Sequence, residues 1–465
     1  LYNDVKRYAE AEEVLKKALS LDSTYSYAWN NLGVLYNNTR QYAQAEPVLK
    51  KSVTLNSTNA SAWNNLGYLY NNTQRYVEAE AVLKKALSLD SMYAYPWNNL
   101  GYAYSKIRQY TEAEAALLRA LSLDSTYSYA WNNLGVLYNN TRRYAQAEPV
   151  LKKSVLLDST NAPAWNNLGY AYLNTWQYGK AEPIFRKALS LDSAFAFAWS
   201  NLGFLLNLTS RYAESEPVLI KALSLDSLQS STWNNLGALY NNTQRYSEAV
   251  SVLKKSVVLD STNASAWNNL GYAYSNIRQY VEAEAALKRA ISLDSMYSYA
   301  WNNLGVLYNN TKRYADAVLV LKKSALADSM NASSWNNLGY AYINTHQYAE
   351  AEPVLRKTIA LDSTFAFPHK HLGVVFLKTN RIDAARKSFL RAIELNPNYA
   401  RGRLGMAYLL AAENKPAEAL DYVEQAIGKG STHEQLQNDP DLAPLRTLSE
   451  WKALMKKYFP EQIKD

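Results

Sequence analysis

Four histidines, no cysteine and no clustered acids leave this chain few residues that could run a reaction. His346 falls in a turn and His433 in the C-terminal tail, while His369 and His371 stand two apart and so cannot chelate from one helix face. The lack of cysteine excludes disulfides and thiolate metal sites. No phosphate loop, GxSxG elbow or HExxH pair occurs, and aspartates such as Asp22 come singly, in turns. No enzyme, cofactor or metal is expected. The side chain that does recur usefully is the asparagine amide: the string WNNLGVLYNN at residues 29–38 returns, with small variations, down most of the chain. An amide offers both a donor and an acceptor, so a row of them can bond an extended backbone whatever its sequence. Asparagine also costs a helix about 0.5 kcal/mol relative to alanine, so each pair needs a reason.

The elements that place these amides follow from one period. Trp29, Trp63, Trp97, Trp131, Trp165, Trp199, Trp233, Trp267, Trp301 and Trp335 are spaced by 34 residues, and His369 and Arg403 take the next two steps. With Trp as position four, the first complete repeat is 26–59. Trp29, Leu32, Leu35 and Tyr36 lie on one face of a first helix. A break at Asn37-Asn38-Thr39-Arg40 precedes a second amphipathic helix marked by Tyr42, Ala45, Val48, Leu49, Val53 and Leu55. Asp22-Ser23 and Asn56-Ser57 supply turns between repeats. Each repeat is a helix–turn–helix that needs a stacked neighbour to bury its face.

The chain divides into a partial repeat at 1–25, ten regular repeats at 26–365, a divergent one at 366–399, a degenerate one at 400–433 and a C-terminal cap at 434–465. In the cap, a helix from about Ser449 to Tyr458 carries Trp451, Leu454 and Tyr458 on one face. Because the chain opens on Leu1 inside a repeat, a domain N-terminal to it is expected in a longer protein. No apolar run reaches the roughly 18 residues of a membrane span; no membrane partner is expected, and a cytoplasmic setting is favoured.

The pattern W-x2-L-G-x2-Y followed by a small residue, here Trp29, Leu32, Gly33, Tyr36 and Ala45, resembles the tetratricopeptide repeat family across residues 1–433. The resemblance implies an all-α fold, a right-handed α-solenoid superhelix of about twelve repeats. The family's closing Pro is Ser in most copies and returns at Pro397, while Pro47, Pro149, Pro183, Pro217 and Pro353 fall on second helices in a phrase similar to kinesin-light-chain-type repeats. An interior Pro costs about 3 kcal/mol, so it should lie near the helix start or at a slight kink. Gly33 is expected to let two helix backbones approach, and Trp29 to bury on the order of 200 Å².

In that family the first helices line the concave face, and positions two, five, six, nine, twelve and thirteen usually carry ligand contacts. Here position five is Asn30, Asn64, Asn98, Asn132, Asn166, Asn234, Asn268, Asn302 and Asn336, with Ser200 the exception. Position six is Asn31, Asn65, Asn99, Asn133, Asn167, Asn201, Asn235, Asn269, Asn303 and Asn337. Aromatic residues occupy position two at Tyr27, Tyr95, Tyr129, Phe197 and Tyr299, and position nine at Tyr68, Tyr102, Tyr170, Phe204, Tyr272 and Tyr340. Positions eleven and seventeen (Tyr36 and Tyr42) are assigned to the core. The amide rows resemble the asparagine ladder in the superhelix of the transferase that adds N-acetylglucosamine to protein Ser and Thr, which implies a protein or extended-peptide partner. Two plainer readings stand beside it: bonding between neighbouring repeats, and inheritance by duplication, since 94–195 aligns with 264–365. An amide and aromatic lining would also suit a sugar. A ligand-binding ladder predicts that alanine at Asn98, Asn99, Asn132 and Asn133 weakens binding without lowering thermal stability.

A net charge of +8 would permit nucleic acid, but the basic residues are misplaced for it. Lysine pairs such as Lys50-Lys51 fall on second helices, with Glu46, Glu80 and Glu148 four residues before Lys50, Lys84 and Lys152, pairings worth a few tenths of a kcal/mol. Nucleic acid, which needs an unpaired basic stripe, is not favoured. The regular repeats carry no Lys or Arg at positions two, five, six and nine, unlike the carboxylate clamps of co-chaperone tetratricopeptide domains; Lys370 at position five of the divergent repeat is the exception. The expected function is a scaffold holding an extended protein segment, as the recognition arm of a larger protein. The alternatives are a sensor arm controlling an N-terminal effector, and an architectural spacer without a groove ligand.

Overall fold

Side-by-side helix pairs make up almost all of the computed structural model, which describes residues 2–462. Leu1, at the start of the expected partial repeat, and residues 463–465, at the end of the expected cap, lie outside the described residues. In the half of the chain that ends at Leu228, the helix Tyr2–Leu21 is followed by six pairs, from Ser26–Asn38 with Tyr42–Leu55 to Ala196–Leu208 with Tyr212–Leu225. In the half that begins at Gln229, six more run from Ser230–Asn242 with Tyr246–Leu259 to Ala400–Ala412 with Pro416–Ile427, before the cap. The described residues hold no strand. The fold is an all-α solenoid.

Within a pair, a notch in the first helix receives a knob from the second. A Cβ on Gly67 would stand 2.5 Å from Leu83, one on Gly101 2.6 Å from Leu117 and one on Gly169 2.6 Å from Phe185. These three knobs are fully buried. The glycine thus clears space for a side chain more than for the opposite backbone, which corrects the simpler expectation. Trp29 is mostly buried against the core, as expected, and its Nε1–H donates to the Ser23 carbonyl in the preceding turn at 2.9 Å, a bond repeated from Trp63 to Ser57 and from Trp97 to Ser91. That turn is shaped by Asp22, whose carboxylate accepts the Thr24 N–H and hydroxyl.

The turn inside each repeat begins later than expected. The first helix continues through Asn37 and Asn38, because the Asn37 amide donates to the Asn65 carbonyl of the next repeat at 3.1 Å instead of competing for its own backbone. The chain then reverses through a left-handed residue, φ 59° at Arg40 and 58° at Trp176, and the Gln41 N–H closes the helix on the Tyr36 carbonyl at 2.8 Å. Pro47 is not in the first turn of its helix; it lies beyond it, on the exposed side of Tyr42–Leu55, where water can take the Ala43 carbonyl it leaves unbonded. In the cap, Ser449–Tyr458 buries Trp451 and Met455; Tyr458 is exposed and donates its hydroxyl to Glu424 at 2.7 Å.

Charges on the second helices are consumed between repeats. Glu46 meets Lys50 at 2.8 Å and Arg75 of the next repeat at 2.7 Å, and Arg75 lies 4.3 Å over the Tyr70 ring. The Arg75 guanidinium first, then Lys50, hold the Glu46 carboxylate down at about 2. The second lysine of a pair can cover a Trp, as Lys323 does Trp301 at 4.7 Å.

Two outcomes follow. Gly101→Ala should lower the unfolding free energy by about 1–3 kcal/mol through overpacking, whereas Gly179→Ala, with nothing within 4 Å of its Cβ, should raise it by up to about 1 kcal/mol; urea midpoints compare them. Glu46 keeps its charge in the fold below the ordinary value of 4.5. Its contribution is therefore complete above about pH 4.5 and lost as pH falls towards 2. Glu46→Gln should flatten the fall of melting temperature across that window while changing it little in slope near neutrality.

Candidate functional site

First helices of successive repeats lie beside one another, and their amides bond across the gap. The Nδ2 of Asn65 donates to Asn30 Oδ1, Asn99 to Asn64, Asn133 to Asn98, Asn167 to Asn132 and Asn201 to Asn166, each at 2.9 Å. The later half repeats the rung: Asn269 to Asn234 at 2.9 Å, Asn303 to Asn268 at 2.8 Å and Asn337 to Asn302 at 3.0 Å. His371 stands in the position-six place of the divergent repeat, its Nδ1 3.1 Å from Asn336 Oδ1. Burial, then the neighbouring Lys370 and Arg401, push that imidazole well below its ordinary value, so a neutral ring can donate from Nδ1. Of the acceptors, Asn30, Asn64, Asn98, Asn166, Asn268 and Asn336 are buried. A second bond reaches the same neighbour: position twelve donates to the position-six carbonyl of the next repeat, as Asn71 does to Asn99 at 2.8 Å and Asn139 to Asn167 at 3.0 Å.

In the first half these rungs floor a cavity of about 390 Å³. It brings together the expected Asn64, Asn65, Tyr68, Tyr95, Asn98, Asn99, Tyr102, Tyr129 and Asn133, and adds Asn38, Asn71, Asn72 and Tyr127. Tyr127 precedes its helix and stacks 4.7 Å from Tyr95, while donor Asn98 Nδ2 reaches its hydroxyl at 3.3 Å. A recurring aromatic-x-aromatic signal marked it in the sequence: Tyr25 with Tyr27, Tyr93 with Tyr95, Phe195 with Phe197 and Tyr297 with Tyr299 all touch, at 5.6–6.2 Å. Tyr68, Tyr95 and Tyr129 are 42%, 47% and 56% exposed, too open to be explained by the core. Position nine divides its role, since Tyr102, Tyr170, Tyr272 and Tyr340 take edge contacts from Tyr76, Tyr144, Tyr246 and Tyr314 at 6.1–6.4 Å. Position seventeen is therefore a groove-edge support and not only core. Phe204 packs half-buried on the core. The cavity lining carries no formal charge: burial, then neighbouring tyrosines, push the Tyr127 hydroxyl up, and burial does so at Tyr102.

Profiles described as tetratricopeptide repeat match residues 1–25, 14–46, 60–91, 98–163, 162–195, 230–263, 264–297, 298–329, 332–365 and 372–434. The chain belongs to the tetratricopeptide repeat family. A tetratricopeptide chain of this kind is, at the coarsest level, a protein-interaction scaffold. Among solved structures, a chain of the crystal structure of the APC/C hetero-tetramer Cut9-Hcn1 is similar in fold over 98% of this chain and 93% of its own, with a TM-score of 0.61 and 15% identity. No curated protein is similar enough to match in sequence.

The rungs of this tetratricopeptide protein change what alanine should do. Asn98→Ala removes an acceptor and leaves the Asn133 amide unpaired, and should lower stability by about 1–3 kcal/mol, against the expectation from a ladder that only binds ligand. A double-mutant cycle with Asn133→Ala should return a coupling of about 0.5–1.5 kcal/mol, while Tyr129→Ala leaves the melting temperature unchanged.

Proposed function

We propose that the chain holds an extended, uncharged segment of a partner protein along the amide and tyrosine face of its first helices. The observation that carries this reading is the set of exposed tyrosines, Tyr68, Tyr95 and Tyr129, around a neutral cavity floored by bonded amides. Aromatic side chains of this size dominate interface energy when a ligand covers them. At Asn65 and Asn133 the rung uses one N–H and leaves the second N–H and the side-chain carbonyl for a peptide backbone, while the Asn99 carbonyl already accepts from Asn98 at 3.3 Å. Because the rungs already fix the direction of these amides, a ligand does not have to order them, a saving of about 0.5–1.5 kcal/mol per side chain. Nucleic acid is a poor fit, since Lys50, Lys84 and Lys152 are neutralised by Glu46, Glu80 and Glu148.

Selection of the full chain against a displayed random-peptide library should yield neutral binders. Tyr95→Ala and Tyr129→Ala should each weaken them about tenfold or more, the more exposed Tyr129 without changing the melting temperature. Binders indifferent to both substitutions would remove the groove as the site.

A further inference from the structure

The face of the first helices changes character in the last two repeats. Lys370 stands at position five, Lys378 at thirteen, Arg401 at two and Tyr408 at nine, so a face that carries one cation at these positions in the ten regular repeats, Lys106, gathers three here. Across it runs the chain's own segment 438–445. The short helix His433–Asn438, begun by a capping box between Thr432 and Gln435, leads into a turn in which Asp439 accepts the Asp441 N–H at 3.0 Å. The 3₁₀ helix Pro440–Leu445 then packs on Ala400–Ala412. Asp441 meets Lys378 at 2.6 Å, and the Tyr408 hydroxyl donates to the Asp439 carboxylate.

The segment is held without filling its seat. Leu442 and Leu445 are buried beneath it, and Arg446 donates to the Leu436 and Asp439 carbonyls. A cavity of about 290 Å³ remains beside the Asp441–Lys378 pair, lined also by Tyr408, Ala411, Pro440 and Pro444. Lys370, 5.9 Å from the Tyr408 ring, has no hydrogen bond or ion pair among the described residues. Burial lowers it to about 8, the nearby Asp439 and Asp441 opposing that shift and Arg401 adding to it. Buried leucines alone would cap the last repeat. Two carboxylates directed at groove positions are more than a cap requires.

We propose that this end of the face binds an acidic segment of a partner protein, of Asp-Pro-Asp type, and that residues 438–445 are a built-in occupant which the partner segment displaces. The same contacts serve both occupants: carboxylates on Lys378 and the Tyr408 hydroxyl, with Lys370 left for a partner that reaches further in. The site is separate from the neutral cavity of the first half, and its failure would leave the reading of that cavity untouched.

The probe is a labelled peptide with the sequence of residues 438–442, titrated into the full chain. Asp439→Asn with Asp441→Asn keeps the segment's shape and removes its charge. That variant should bind the probe about tenfold or more tightly than the parent, because a tethered competitor has been weakened. Adding Lys370→Gln and Lys378→Gln should return binding to the parental level. Equal binding by parent and variant, or equal binding of an Asn-Pro-Asn probe, would overturn the proposal. If the variants fail to fold, amide exchange of residues 438–445 in the parent decides: faster exchange on saturation with the acidic peptide supports displacement, and unchanged exchange contradicts it.

Discussion

A pair of helices 13 and 14 residues long leaves an apolar face that only another pair can close. Within the pair, Leu83 or Phe185 seats in a glycine notch and fixes how the two helices cross. Between pairs, apolar contact supplies most of the free energy but little direction. Register must come from bonds with geometry. The Asn65–Asn30 rung, the Asn37 bond to the Asn65 carbonyl and the Arg75–Glu46 pair each join one repeat to the next. Each is worth only about 1 kcal/mol net, yet a slipped neighbour would bury several amides unpaired, which costs more than the bonds provide.

The same geometry divides labour on the face of the first helices. Most position-five amides are buried and spent on the neighbour, whereas tyrosines at position two stay open. Rigid amides beside exposed rings are a sound base for a binding face, because the polar floor is ordered before any ligand arrives. In the divergent repeat the rung persists with His371 in place of asparagine and ends at Gly405 in the last one, while Lys378 and Tyr408 meet the chain's own Asp441 and Asp439.

Periodic features were legible in the sequence because the 34-residue spacing of Trp, Leu, Gly and Tyr encodes packing directly. What was misread depended on partners far away along the chain. Asn37 and Asn38 look like turn residues until the bond from Asn37 to a carbonyl 28 residues on is known. The glycine's true neighbour is a side chain on the other helix, and Arg40 gives no sign of its left-handed backbone. Sequence could not choose between ligand and neighbour for the amide rows, since each rung joins residues 35 apart. Tyr127 was legible in the aromatic-x-aromatic pairs, but it lies one place before the positions that the family resemblance singles out.

Side-chain amide exchange of the full chain by NMR reads the rungs directly. Asn65, Asn99 and Asn133 should each show one Nδ2 proton protected from solvent, with a coupling across the bond to Asn30, Asn64 and Asn98. The exposed Asn31 should show neither. If all four exchange alike and no coupling is seen, the amide rows do not join the repeats and the account is wrong.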